Sequence, residues 1–146
     1  MLFRSIYVLG SDLGLAPLYL TSWSEHAVCT VIEPESSLAA IAEKNVDEHS
    51  SASIDIHVKC NPEIAENSVI DFIVLGKTFS IDAFESFLPY INDNSIMIFS
   101  GINSSEKNRN IWKKVCTAPK VTVTMDLYNL GVVFFNPKLH RKTYKN

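Results

Sequence analysis

Gly10, Ser11, Asp12 and Gly14 near the start of the chain, and Glu33 further on, have types and spacing that suit a ligand site. Ile6, Tyr7, Val8 and Leu9 read as a buried strand that runs into a tight turn from Gly10 to Gly14, after which the apolar chain continues as a helix. A helix that follows a strand so closely aims its free backbone N–H groups and positive dipole end at the strand's carboxyl edge. Gly10 and Gly14 permit backbone angles and close approaches that a side chain would block. A ligand with polar or anionic groups can lie across such an edge. The same glycines also serve ordinary tight turns, so their spacing alone names no ligand. Glu33 follows a second apolar run and also suits the start of a helix, where an acid complements the dipole.

These residues need elements to hold them. Helices are expected over Leu15–Ser24, with Pro17 in the first turn, and from Glu35–Ser37 to His49, where Leu38, Ile41, Ala42 and Val46 recur at helical spacing. Two more are expected over Ile81–Tyr90 and Glu106–Cys116, the last with Ile111, Trp112 and Val115 inward. Ala27–Ile32 and Val69–Leu75 are near-continuous apolar runs, the pattern of strands buried on both faces of a parallel sheet. Shorter strands are expected at Ile54–Val58 and Ser95–Phe99. Lys120–Leu127 and Leu130–Phe135, separated by Tyr128 and Asn129, read as a closing hairpin. Strands that alternate with helices predict an α/β fold with a parallel, doubly wound sheet.

Composition fits one globular domain over 1–146, with 47% hydrophobic and 20% charged residues. Neither a run of about twenty apolar residues nor a secretory leader pattern is present, so a cytoplasmic protein off the membrane is expected. Cys29, Cys60 and Cys116 are odd in number and lack a C-x-x-C pair, which predicts buried, reduced thiols. The net charge of −3 conceals an asymmetry: through Ser105, 4 bases oppose 14 acids, and from Glu106 onward 9 bases oppose 2 acids. The basic end lacks aromatic interleaving or a nucleic-acid motif, so a solvated face and tail are expected and nucleic acid is not.

Four features together resemble the class I S-adenosylmethionine-dependent methyltransferases, and among them the small O-methyltransferases. They are the Gly10–Gly14 turn, Glu33 closing the second strand, Asp71 opening the fourth, and the hairpin from Val121 to Phe135. The resemblance runs from Ile6 to Phe135 and implies a Rossmann-like, mostly parallel seven-stranded sheet in the order 3-2-1-4-5-7-6, with the C-terminal hairpin antiparallel. It also implies S-adenosylmethionine as cofactor. The glycine turn (Gly10, Ser11, Asp12, Gly14) would support its methionine part and Glu33 its ribose hydroxyls. A carboxylate suits a diol because it can accept both O–H donors.

The sequence departs from that family at several positions. Val8 stands where an acid is usual two residues before the first glycine, and Lys59 and Cys60 occupy the place of the adenine-contacting pair, leaving Asn61 as stand-in. Gly76, Ser100 and Gly101 supply no carboxylate where cation-dependent relatives hold a metal. Only Asn103 remains there, so no metal is expected. Lys77, Tyr128 and His57 are the titratable groups near strand ends that could take a proton during transfer. The first strand begins so early that no N-terminal lid is expected. Tyr19, Trp23, Phe79 and Phe84 can contribute to an exposed strand-end face that a protein partner or a second copy, as a homodimer, would cover, although core packing is the commoner fate of such aromatics. Two readings stand: a minimal methyltransferase acting on an unknown small-molecule acceptor, or a degenerate, non-catalytic member serving binding or assembly.

Overall fold

The computed structural model describes residues 3–24, 26–50 and 52–146. Its elements in chain order are β1 (Ser5–Leu9), a 3-10 turn (Asp12–Gly14), α1 (Leu15–Thr21), β2 (Val28–Ile32), α2 (Ser36–His49), β3 (Ser53–His57) and β4 (Phe72–Leu75). Then come α3 (Ile81–Phe87), a 3-10 turn (Leu88–Tyr90), β5 (Ile96–Ser100), α4 (Glu106–Thr117), β6 (Val123–Leu127), β7 (Leu130–Phe134) and β8 (Lys142–Lys145). The sheet order is β3-β2-β1-β4-β5-β7-β6-β8. The first five strands pair in parallel and β7 is antiparallel to both β5 and β6.

The order expected from the sequence is therefore present, with one addition. β8 pairs in parallel with β6, from Val123 opposite Lys142 to Asp126 opposite Lys145, which makes eight strands rather than seven. Its sequence Lys-Thr-Tyr-Lys is exposed at every residue, so it carries no burial pattern that distinguishes a strand from a solvated tail.

Several elements are shorter than, or broken relative to, their expected spans, among them β6, which begins at Val123 rather than Lys120. α1 stops at Thr21, whose hydroxyl donates back to the carbonyls of Pro17 and Leu18. The helix expected to reach Tyr90 gives way at Leu88 to a 3-10 turn that contains Pro89. β4 begins only at Phe72, and Asp71 before it serves β1 instead. The Oδ2 of Asp71 accepts the amides of Arg4 (2.8 Å) and Ser5 (3.0 Å) and fastens the start of that strand.

The larger core lies between the sheet and α3–α4. It is built from Ile73, Leu75, Phe84, Phe87, Met97, Phe99, Trp112, Val115 and Val133, with Phe99 against the rings of Phe79, Phe84 and Trp112. Phe79 and Phe84 are thus core residues, not part of an exposed strand-end face. A smaller cluster, Ile6, Val8, Cys29, Val31 and Phe72, lies on the other face, with Ala16 and Leu20 of α1 packed on it. Cys29 is buried as expected. Cys60, in contrast, is exposed, and all three thiols are free.

Candidate functional site

In an open α/β sheet, ligands bind outside the carboxyl ends of the strands, where the strand order reverses. That reversal falls between β1 and β4 here. At the carboxyl end of this pair stand two glycines, Gly10 and Gly76. A methyl group placed on Gly10 would lie 3.8 Å from the Cα of Gly76, and one on Gly76 would lie 2.7 Å from the carbonyl oxygen of Leu9. At Gly76 only bare backbone fits, whereas at Gly10 there is room for a methyl group and it is the φ of 87° that favours glycine. The Gly76 amide closes it by donating to Leu9 O at 2.8 Å. Gly76→Ala is expected to part β1 from β4 at this point and to cost about 2 kcal/mol, read as a lower urea midpoint with faster amide exchange confined to Leu9 and Gly10.

The glycine turn needs both of its glycines. Gly10 and Gly14 have φ of 87° and 89°, and Asp12 and Leu13 between them are also left-handed, at 46° and 55°. Gly14 backs onto α2, where an added methyl group would meet the carbonyl of Ala42 at 3.0 Å, and Asn45 of α2 donates to Leu13 O at 2.8 Å. The turn is therefore fixed from behind by α2, with Asp12 facing solvent.

Glu33 is tied to the same turn. Its Oε2 accepts the Ser11 amide and the Ser11 hydroxyl, both at 2.8 Å, and its Oε1 accepts the Glu35 amide at 3.1 Å. Glu33 is only 5% exposed, and burial acts to raise its pKa. The hydrogen bonds from Ser11 and Glu35 outweigh that, and its pKa lies below the ordinary 4.5. A carboxylate offers about four lone-pair sites. Three are taken, so Glu33 has room on Oε1 for one further hydroxyl, not for both members of a diol.

The structure thus joins Ser11, Gly14 and Glu33 in one hydrogen-bonded unit, with Gly10 beside it donating to Ile32 O at the end of β2 and Asp12 at its surface. Asn61 stands apart. It is exposed in the connection after β3, and its side chain makes no hydrogen bond among the described residues.

Beyond Gly76 the carboxyl edge is organised by Asn108, a residue that no motif or spacing in the sequence singles out. In the first turn of α4 and 5% exposed, its amide nitrogen lies 2.9 Å from the carbonyls of Lys77 and Gly101 and from Ser104 Oγ. It binds the loops after β4 and β5 together. Asn108→Ala is expected to leave those carbonyls buried without a donor and to lower stability by about 2 kcal/mol, measured by thermal denaturation.

Asn103 donates its amide to the carbonyl of Tyr128, so the one residue placed to ligate a cation instead holds the hairpin turn. Tyr128 itself has φ of 68° and is 80% exposed. His57 ends β3 and is exposed, and Lys77 lies beside Gly101. These candidates for proton transfer are spread along the edge rather than gathered at one point.

Several solved structures share this architecture. A proposed caffeoyl-CoA O-methyltransferase from Staphylococcus aureus superposes with a TM-score of 0.74 at 17% identity, over 91% of this chain and 76% of that one. The fold is the methyltransferase fold. A proposed methyltransferase from Thermoplasma acidophilum matches over 99% of this chain and 72% of its own, with a TM-score of 0.73 at 10% identity. The plantazolicin methyltransferase BpumL, solved in complex with SAH, matches at 0.54 and 17% identity, and the chain spans about half of its length, 47%. No protein-family model and no curated protein sequence matches the chain. Within this fold the Gly10–Gly76 edge occupies the reversal point, and the Ser11–Glu33 unit lies beside it at the end of β2. No helix among the described residues is long and apolar enough to cross a membrane.

Proposed function

We propose that this protein binds S-adenosylmethionine across the carboxyl edge of β1 and β4 and serves methyl transfer to a small acceptor. The observation that carries the proposal is the edge itself: Gly10 and Gly76 meet without side chains at the reversal point, beside a buried carboxylate on the next strand. Gly10–Gly14 would hold the methionine part, and the remaining acceptor position on Glu33 would take one ribose hydroxyl. Asn61, in the connection after β3, is the residue we assign to the base. When bound, the cofactor supplies a sulfonium methyl group open to displacement by an oxygen or nitrogen of the acceptor.

A second reading, a non-catalytic member of the fold, is favoured by the commitment of Asn103 to the hairpin and by Gly76, Ser100 and Gly101 at positions without carboxylates. Isothermal titration with S-adenosylmethionine and with S-adenosylhomocysteine, with and without magnesium, tests the first step common to any activity. Micromolar binding that ignores magnesium is the expected result. Absence of heat and of thermal stabilisation at millimolar ligand would show that the glycine edge is purely structural.

A further inference from the structure

Charge is spread unevenly over the fold as well as along the chain. α4 turns four bases to solvent, Lys107, Arg109, Lys113 and Lys114, and none of its exposed residues is apolar. Glu106 is the single acid on the helix. Asp82 and Glu85 on neighbouring α3 are exposed too, yet among the described residues no ion pair joins an acid to any base after residue 105. Before that point two bases are paired, Lys44 with Glu48 and Lys59 with Glu63. Past the end of α4, Arg141 extends the basic surface, its guanidinium donating to the carbonyls of Cys116 and Ala118 at 3.3 and 2.9 Å. Helix stability does not account for this face. Lys107 lies in the first turn, where the helix dipole repels a cation, and Arg109 and Lys113 are like charges one turn apart. A helix face that needs only to be solvated can alternate its signs. This one keeps its bases together against two electrostatic costs.

We propose that the outer face of α4 binds the phosphate backbone of a nucleic-acid duplex. The face has the chemistry of that partner and lacks that of others. A protein partner is gripped through apolar and aromatic anchors, and α4 commits its own, Ile111, Trp112 and Val115, to the core. A helix on a membrane surface turns its apolar side into the lipid, and here that side meets the sheet. Nucleic-acid interfaces are the more polar and much more positive kind. Single strands are held by aromatic side chains on which bases stack, and α4 exposes none, so the partner is a duplex met through its backbone and not through its sequence. Aromatic interleaving, whose absence speaks against nucleic acid in the sequence, is not needed for contact with phosphates alone. α4 is 12 residues and so about 18 Å long. Its first turn stands at the carboxyl edge of the sheet, where Asn108 holds the loops after β4 and β5. A duplex lying along α4 passes beside that edge, and the contact requires no cofactor there.

Fluorescence anisotropy of the full chain with short labelled duplexes of DNA and of RNA, both of one mixed sequence, decides the proposal. Both are expected to bind at low salt. The logarithm of the affinity is expected to fall against the logarithm of salt concentration with a slope of about −3.6, from about −0.9 for each of the four bases on α4. Lys113→Gln combined with Lys114→Gln should halve that slope and weaken binding about tenfold or more, with the melting transition unchanged. Lys44→Gln combined with Lys59→Gln removes the same charge from elsewhere on the molecule and should leave slope and affinity as they were. A preference between the two duplexes would support the contact and name its source as DNA or RNA. Absence of binding at low salt, equal losses in the two double variants, or tighter binding to the single strand would each overturn it. So would stronger competition by polyglutamate than by unlabelled duplex, or tighter binding to vesicles of anionic phospholipid, which would assign the face to an acidic protein or to a membrane.

Discussion

Gly131→Ala should lower the stability of this protein by about 3 kcal/mol, the upper end of what one added methyl group costs in a packed interior. Gly131 lies on β7 directly opposite Phe99 on β5, and the ring of Trp112 from α4 rests on its Cα. An alanine Cβ would stand 2.6 Å from two carbons of that ring. The ring cannot swing aside, because Trp112 is buried and its other flank is the Phe99 ring at 5.6 Å. Trp112→Leu removes the obstruction at its own cost in lost contacts. In that background Gly131→Ala should be close to neutral, so the two changes should couple by about 2–3 kcal/mol in a double-mutant cycle read from urea midpoints. Equal costs of Gly131→Ala in both backgrounds would show that the ring does not set the size of this residue.

Glu33→Ala is the second large effect, because Glu33 does more than offer a binding position. Read as a binding residue alone, Glu33 would be dispensable for folding. In the structure its carboxylate satisfies the Ser11 amide, the Ser11 hydroxyl and the Glu35 amide in a nearly closed site. Alanine would leave those donors without an acceptor, at a cost of about 3 kcal/mol near neutral pH. The cost should depend on pH. The folded state holds this carboxyl below its ordinary value of 4.5, so the native state favours the ionised form. Its contribution is therefore fully present above about pH 4.5 and is lost as the pH falls through the lower, folded value. Wild type and variant should converge in stability as the pH is lowered through that range, and a constant gap down to strong acid would remove Glu33 as the titrating group. Any loss of cofactor affinity in Glu33→Ala has to be measured below the variant's melting transition, where binding and folding separate.

The parts of this fold that the sequence shows plainly are those that physics writes locally. The runs at Ala27–Ile32 and Val69–Leu75 announce strands covered on two sides, the second starting three residues before β4 does, and the three-to-four spacing of Ile111, Trp112 and Val115 announces the buried face of α4. The Gly10–Gly14 turn and the acid at Glu33 stand out because strand, turn and helix follow one another without a gap. Asn108 does not, since a polar residue in the first turn of a basic helix reads as solvated until three distant oxygens are brought to it. β8 is hidden for the opposite reason: an edge strand exposed on all sides has no periodicity to read. The sequence does not separate Phe79 and Phe84, which are core, from Tyr19 and Trp23, which are exposed, because aromatic residues near strand ends fit a surface and a core alike. Asp71 lies at the amino edge of the sheet, where it fastens β1, although its place in the sequence counts toward the resemblance.

β8 also bears on how this protein keeps its own copies apart. An outermost strand carries a row of unsatisfied backbone groups, and such a row recruits further strands unless something discourages them. Here the outermost strand is four residues long and begins and ends with lysine. A like copy approaching edge to edge would bring ammonium groups against ammonium groups before a ladder could form. The other margin, β3, is five residues with Asp55 at its centre. Ribbon-like growth of the sheet from molecule to molecule, the first stage of fibre formation, is thereby opposed at both rims, and replacing Lys142 and Lys145 with valine should shorten the time before a concentrated solution turns cloudy.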